Sequence, residues 1–321
     1  MTDDQRWLAA AASLAARARP LSRPNPGVGA IIVREGKVVA RGWTQAGGRP
    51  HAEAMALEAA GEAAQGATLY VTLEPCAHIS ARGPACADLV CASGPARVVV
   101  GCADPDSRTA GQGIARIRDA GIKCDLVTSP ACKESLSGYL VRTGLGRPEV
   151  TLKLALSLDG CIALASGESQ WITGEAARAH THAMRARADA ILVGGGTLRS
   201  DAPRLDVRLP GLADRSPQRW VLTRGVAPDG WHALSSPDAL RSMMGVQYLF
   251  VEGGAGAASA FLAANAVDRL LIYRAPIVIG GGRPGIGNIG LATLSTAHGQ
   301  WQLTDRRQLG PDTLEVYARR G

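Results

Sequence analysis

His51-Ala52-Glu53, then Thr72-Leu73-Glu74-Pro75-Cys76, then Cys86 bring one imidazole, one carboxylate and two thiols together in an order that outlines a hydrolytic zinc site. Three such ligands, His51, Cys76 and Cys86, leave the fourth position of a tetrahedral ion open for water, which separates a catalytic from a structural zinc. Zinc lowers the pKa of its water from ~15.7 to ~7, so hydroxide is available at neutral pH to attack an amidine-like carbon. Glu53, two positions beyond the histidine, then takes the water proton and returns it to the leaving ammonia without touching the metal.

Local patterns place these groups on ordered elements. Gly47-Gly48-Arg49-Pro50 precedes His51, and Ala52 to Ala64, rich in Ala, Glu, Leu and Met, predicts a helix with the ligand in its first turn. Residues 67 to 73 predict a strand ending just before Pro75 and Cys76. A second helix over Pro84 to Ser93, with Gly94 beyond its end, puts Cys86 in the first turn, where the helix terminus favours thiolate. The common nucleobase-deaminase signature is Cys-x-x-Cys, whereas residues 77 to 85 separate these two thiols. Cys91 competes for the third ligand, although its place further along the helix rotates it away from the Cys86 face. Cys91, Cys102, Cys124, Cys132 and Cys161 read as small core residues. A lone histidine at a helix start is ordinarily a cap or a surface residue. Glu53 and the Pro-Cys after a strand argue for a ligand here.

At 321 residues and 46% hydrophobic content, the chain is long enough for two domains of ordinary composition. No apolar run is long enough to cross a bilayer, and Met1-Thr2-Asp3-Asp4 has no basic region before an apolar core, so neither anchor nor signal peptide is expected. Seven cysteines, two of them placed for metal, fit a reducing cytoplasm better than a disulfide framework. The net charge of +7 is spread rather than clustered, and two Phe and five Tyr make a poor stacking surface, so nucleic acid is not an expected partner. Mild attraction for anionic metabolites remains.

The first half alternates helices and strands: a helix over Asp4 to Arg17, strands at Ala30 to Val33 and Lys37 to Arg41, the metal elements, strands at Ala96 to Gly101 and Ile122 to Val127, and a helix from about Gly113 to Ala120. This is the pattern of an α/β/α sandwich of cytidine-deaminase type. A pause at Gly144, Gly146 and Pro148 sets the boundary, giving domains 1–146 and 147–321. The second series has a strand at Val150 to Leu156, a helix over Glu175 to Arg187, and strands at Ala190 to Val193, Arg219 to Leu222, Gln247 to Val251 and Arg269 to Tyr273. A helix over Ala257 to Ala264 precedes the last of these, and a hairpin over Trp301 to Thr304 and Thr313 to Tyr317 closes the chain. Gly194-Gly195-Gly196 and Gly253-Gly254 each follow a strand, and the second opens a helix. Such turns suit phosphate or dinucleotide binding, but neither has the G-x-G-x-x-G spacing, and glycine clusters are commonly plain tight turns.

Arg23 to Gly29, His51-Ala52-Glu53, Thr72 to Cys76, Asp104-Pro105, Lys153 to Gly160, Ser166 to Thr173 and Val251 to Gly254 together resemble the bifunctional deaminase/reductase family of riboflavin biosynthesis, in the same order over nearly the whole chain. The resemblance implies an N-terminal zinc deaminase domain and a C-terminal dihydrofolate-reductase-like α/β domain. The first would deaminate 2,5-diamino-6-(5-phosphoribosylamino)pyrimidin-4(3H)-one, and the second would reduce the ribosyl unit of the product to ribityl with NADPH. Residue by residue, it implies substrate binding at Asn25, His78 and Arg82, with Arg82 toward the phosphate. In the second domain it implies substrate contacts at Lys153, Ser169, Arg185, Leu205, Arg208 and Glu252, with Glu252 toward the ribose, and cofactor contacts at Trp171, Thr173, Thr197, Asp201, Thr223 and Gly254. Arg199 or Arg224 would meet the NADPH 2′-phosphate, and the reductive proton would come from among Lys153, Asp201 and Glu252. A homo-oligomer, with a dimer through the second domain, is implied as well. This chain departs from the family in one extra residue between Cys76 and Cys86, in Asp201-Ala202-Pro203, and in a short stretch between Arg208 and Gln247. Two rivals share part of the pattern. A transfer-RNA adenosine deaminase would want a basic, aromatic-lined surface, and a zinc-stabilised binding protein would not need Glu53.

Overall fold

In a computed structural model describing residues 2–78 and 81–320, the chain divides into two compact units, Met1–Gly146 and Arg147–Gly321. Unit 1 runs α1 (Asp3–Ala15), β1 (Gly29–Arg34), β2 (Lys37–Trp43), α2 (Ala52–Ala60), β3 (Thr68–Val71), α3 (Cys86–Ser93), β4 (Arg97–Val100), α4 (Gln112–Asp119), β5 (Lys123–Leu126), α5 (Pro130–Ser135) and α6 (Ser137–Leu145). The sheet order is β2-β1-β3-β4-β5, with β1 antiparallel to both neighbours and β3, β4 and β5 parallel. Successive strand residues point to opposite faces. Ile32, Leu69 and Val98 meet Ala56 of α2, Val90 of α3 and Ile117 of α4, whereas Ile31, Tyr70 and Val99 meet Leu8 of α1 and Cys132 of α5. The unit is therefore an α/β/α sandwich.

Small residues let the helices lie close on this sheet. A Cβ at Gly42 of β2 would run into the Ala52 carbonyl of α2, and one at Gly29 of β1 into the Ala11 carbonyl of α1. The predicted helix over 52–64 stops at Gly61, where φ is 51° and the chain passes into a 3-10 turn. The strand predicted over 67–73 ends at Val71, because the Thr72 hydroxyl takes the Gly29 N–H and the Glu74 N–H turns to the Cys102 carbonyl. Helices α5 and α6 were not expected, although Ser129 caps α5 with its hydroxyl and Pro130 opens it.

Unit 2 runs β6 (Glu149–Leu156), β7 (Cys161–Ala163), α7 (Glu175–Arg185), β8 (Ala190–Gly194), α8 (Gly195–Asp201), β9 (Gln218–Leu222), β10 (His232–Leu234), β11 (Tyr248–Val251), α9 (Ala255–Ala263), β12 (Arg269–Arg274), β13 (Arg283–Pro284), β14 (Trp301–Leu309) and β15 (Asp312–Arg319). Its main sheet has the order β10-β9-β8-β11-β6-β12-β15-β14. The first six strands are parallel, and the closing hairpin pairs antiparallel with β12 through β15. On β6, Val150, Leu152 and Leu154 pack against Phe261 and the rest of the α9 face. Lys153 alternates to the other face, the side on which Ala177 of α7 packs with Ile191, Phe250 and Tyr273. The first glycine turn, expected as a turn alone, also opens a helix, α8. The short stretch after Arg208 keeps β9 and β10 and a 3-10 turn over Pro237–Ser242.

Candidate active sites

His51 sits at the N-cap of α2, one residue before the helix, and Cys86 is the first residue of α3. Both helix starts face Cys76 in the turn after β3. His51 Nδ1 lies 3.6 Å from the Cys76 sulfur and 3.3 Å from the Cys86 sulfur, and the Cys86 N–H donates to the Cys76 sulfur at 3.3 Å. The three ligand atoms fall within 4.8 Å of one another. A donor set of one imidazole nitrogen and two sulfurs suits zinc with a position to spare. The neighbouring Cys86 thiol and N–H, with His51 beside them, hold the Cys76 thiol below its ordinary value. The Cys76 sulfur beside it and its own burial push the Cys86 thiol up.

Glu53, in the first turn of α2, is 3% exposed. Burial raises its carboxyl to about 7, against the pull of His51. His51, Glu53 and Cys76 line a cavity of about 300 Å³, together with Asn25, His78 and Arg82. Asn25 Nδ2 donates to the Gly48 carbonyl at 3.2 Å and lies 3.4 Å from His51 Nε2. His78 Nδ1 is buried with no partner, and Arg82 donates to the Gly47 carbonyl at 3.1 Å. Ile79 and Ser80, within the loop singled out from 78 to 82, lie outside the described residues. Sequence reasoning gave no role to Arg49, Asp104, Asp106, Arg108 and Tyr139, which line the same cavity. Only the Asp104-Pro105 pair was visible as a motif. Of the other cysteines, Cys91 is half-buried with its thiol toward the Arg116 carbonyl, while Cys102, Cys124, Cys132 and Cys161 are buried.

Unit 2 holds a larger, open cavity, about 900 Å³, between the ends of its parallel strands and the starts of α8 and α9. Lys153, Ser169, Arg185, Leu205, Arg208 and Glu252 line it, as do Trp171, Thr173, Thr197, Asp201 and Gly254. Arg185 grips Glu252 with Nε and Nη2 at 2.6 and 2.9 Å. Lys153 Nζ stands 4.0 Å from the same carboxylate. Burial pushes the Lys153 ammonium below its ordinary value against the pull of Glu252. Burial also acts to raise Glu252, but the Arg185 hydrogen bonds and the Lys153 charge outweigh it and hold the carboxyl low. Leu205 holds a positive φ of 56° while buried in the core, and the Thr197 hydroxyl accepts the Gly254 N–H at 3.2 Å.

Thr223 does not reach this cavity, because its hydroxyl accepts the Gly225 N–H at 3.1 Å in the turn after β9. Arg199 and Arg224 are exposed and absent from the lining. The lining instead holds Arg178, Arg204 and Arg283, for which the sequence offered no motif.

Comparison with known proteins fits both halves. Residues 1–102 match the cytidine and deoxycytidylate deaminase zinc-binding region, and residues 148–314 match the RibD C-terminal domain. The chain is thus a two-domain enzyme, a deaminase followed by a reductase. It is 36% identical to the riboflavin biosynthesis protein RibD of Escherichia coli, over 96% of this chain and 97% of that one. It is 37% identical to RibD of Mycobacterium tuberculosis, over 91% and 90% of the two chains. Among solved structures, RibD of Acinetobacter baumannii superposes with a TM-score of 0.85 at 32% identity, covering 99% of each chain. A diaminohydroxyphosphoribosylaminopyrimidine deaminase/5-amino-6-(5-phosphoribosylamino)uracil reductase from Thermotoga maritima gives 0.88 at 29% identity, again over 99% of each. The chain belongs to the RibD family, the bifunctional deaminase/reductases of riboflavin biosynthesis.

Proposed function

We propose that unit 1 hydrolyses the 2-amino group of 2,5-diamino-6-(5-phosphoribosylamino)pyrimidin-4(3H)-one. Unit 2 then reduces the ribosyl chain of the resulting 5-amino-6-(5-phosphoribosylamino)uracil to ribityl with NADPH. The observation that carries the first activity is the His51, Cys76 and Cys86 cluster beside a buried carboxyl at the wall of a cavity. Zinc, held by those three side chains, supplies the Lewis acidity that makes water a nucleophile near neutral pH. Glu53 accepts a proton from the attacking water and delivers it to the departing amine. Asn25, tied to Gly48 and His51, presents its amide to the pyrimidine. His78 has a ring nitrogen free for the same ligand, and Arg82 stands for the phosphate.

The larger cavity fits a dinucleotide. Gly254 at the N-cap of α9 and Thr197, which bond to each other, line it at a helix start, where partial positive charge favours a pyrophosphate. NADPH supplies the hydride when bound. Trp171, Thr173, Thr197, Asp201 and Gly254 hold that cofactor. Lys153, Arg185 and Glu252 orient the sugar, Ser169 and Leu205 flank it, and Arg208, 3.6 Å from Asp206 at the cavity rim, takes the phosphate. Seven free cysteines suit the reducing cytoplasm, and among the described residues no helix is long and apolar enough to cross a membrane. Homo-oligomerisation belongs to the same proposal. Glu53→Gln tests it: ammonia release should vanish while NADPH oxidation with separately supplied deaminated product persists. Unchanged ammonia release would remove Glu53 from its role.

A further inference from the structure

Glu74 belongs to the Thr72–Cys76 stretch, yet its carboxylate takes no part in the chemistry above. It is 2% exposed, and a buried carboxylate needs compensation. Backbone N–H groups provide it. One oxygen, Oε2, accepts from Asp104 at 3.3 Å and Gly111 at 3.1 Å, and Oε1 accepts from Gly113 at 3.0 Å and Ile114 at 3.2 Å. Gly113 and Ile114 lie in the first turn of α4, whose own N-cap, Gly111, contributes no side-chain bond. Glu74 therefore caps α4 from a distant part of the chain, where the helix end also favours negative charge.

The same four bonds fasten both ends of the loop from Asp104 to Gly111. Asp104, Asp106, Arg108 and Thr109 of that loop form one wall of the deaminase cavity. Tyr139 ties Asp104 by a 2.7 Å hydrogen bond from its hydroxyl, and Arg108 clasps Asp106 at 3.0 and 2.5 Å. Contact at the other end is just as close, since a Cβ at Gly113 would run into the Pro75 carbonyl, immediately before Cys76. A single side chain thus joins the turn carrying a metal ligand to the wall facing the substrate.

Resting on the deaminase function proposed above, we infer that Glu74 is a positioning residue for that reaction. Its carboxylate sets the Asp104–Gly111 loop against the pyrimidine, and so sets substrate affinity. Glu74→Gln, in the full zinc-loaded chain, keeps the shape but turns an NH2 group toward two N–H donors. Loosening the wall weakens its contacts with bound substrate, and each ~1.4 kcal/mol of lost binding is tenfold, so KM for the diaminopyrimidine phosphate should rise ~10- to 100-fold with kcat changed only ~3-fold or less. Zinc content and reductase kinetics should hold, and amide hydrogen exchange over residues 104–114 should accelerate. An unmoved KM, an unmoved exchange rate, or loss of zinc would each overturn the inference, the last because Glu74 would then be acting on Cys76. Should the variant fail to fold, wild-type exchange decides, and unprotected amides at Gly111, Gly113 and Ile114 would refute it. Wild-type protein that releases no ammonia would instead sink the deaminase function, with the exchange data still judging the loop.

Discussion

Replacing Arg185 by Leu should unsettle the C-terminal unit more than any surface change. The guanidinium is 11% exposed and its partner Glu252 9%, and the two share bonds of 2.6 and 2.9 Å. After the replacement, Glu252 retains Lys153 at 4.0 Å as a charge partner. Breaking a buried, hydrogen-bonded pair from one side costs ~3–5 kcal/mol, and the lysine argues for the lower end, ~3 kcal/mol. For a unit spanning Arg147–Gly321, each kcal/mol moves Tm by ~2–4 °C, so its calorimetric transition should fall by ~6–12 °C. Glu252→Leu should cost a similar amount. The double variant, which leaves no carboxylate stranded, should fall short of the sum by at least ~1.5 kcal/mol. The acid range supplies a second signature. Because Glu252 titrates below its ordinary value when folded, its stabilisation is complete above ~4.3 and is lost as pH falls through the depressed value. Arg185→Leu should flatten that acid loss. A transition lowered by less than ~2 °C, or strictly additive single effects, would refute the pairing.

Cys86→Ser should strip bound zinc, read by elemental analysis, and abolish ammonia release, while NADPH oxidation with supplied deaminated product stays within ~2-fold. Gly42→Ala places a methyl against the Ala52 carbonyl and 2.6 Å from the Ala56 nitrogen, so unit 1 should lose ~1–3 kcal/mol in urea denaturation followed by circular dichroism. An unchanged midpoint would mean that α2 does not lie so close to β2. Arg97 reaches Asp4 through two bonds of 2.9 Å and Asp125 through one of 2.7 Å, so Arg97→Leu should cost ~2–3 kcal/mol. Arg97 also holds Asp4 below its ordinary 3.8, so this contribution is present above that pH and fades below it. Thermal melts from acid to neutral pH should show that fade in the wild type and not in the variant.

The three side chains proposed to hold zinc were legible because each belongs to a short local pattern: a histidine before a helix, a cysteine after a strand, a cysteine opening the next helix. The wall opposite them was not. Asp106 and Arg108 reach the cavity through the loop that Glu74 fastens, which has no periodic signature, and Tyr139 through α6, whose apolar spacing of Leu136, Tyr139 and Leu140 went unread. In the second unit Lys153, Arg185 and Glu252 converge from three separate elements, so only the resemblance could bring them together. The same resemblance includes Thr223, which lies outside the cavity lining, in the turn after β9. The helix after Gly194 escaped notice because consecutive glycines argue for a turn, and tertiary packing overrode that weak preference.

The long hairpin at the end of the chain leaves β14 at one edge of an eight-stranded sheet, a rim of backbone donors and acceptors with no further strand beyond it among the described residues. Such rims invite another chain to zip on. Here the register slips between Leu303 and Asp305, and Asp305, Arg306 and Arg307 crowd the outer half of the strand. An intruding strand would have to match a kinked template while stripping water from three ionised groups, so the protein carries its own safeguard against fibrillar growth at the place where its architecture most exposes it.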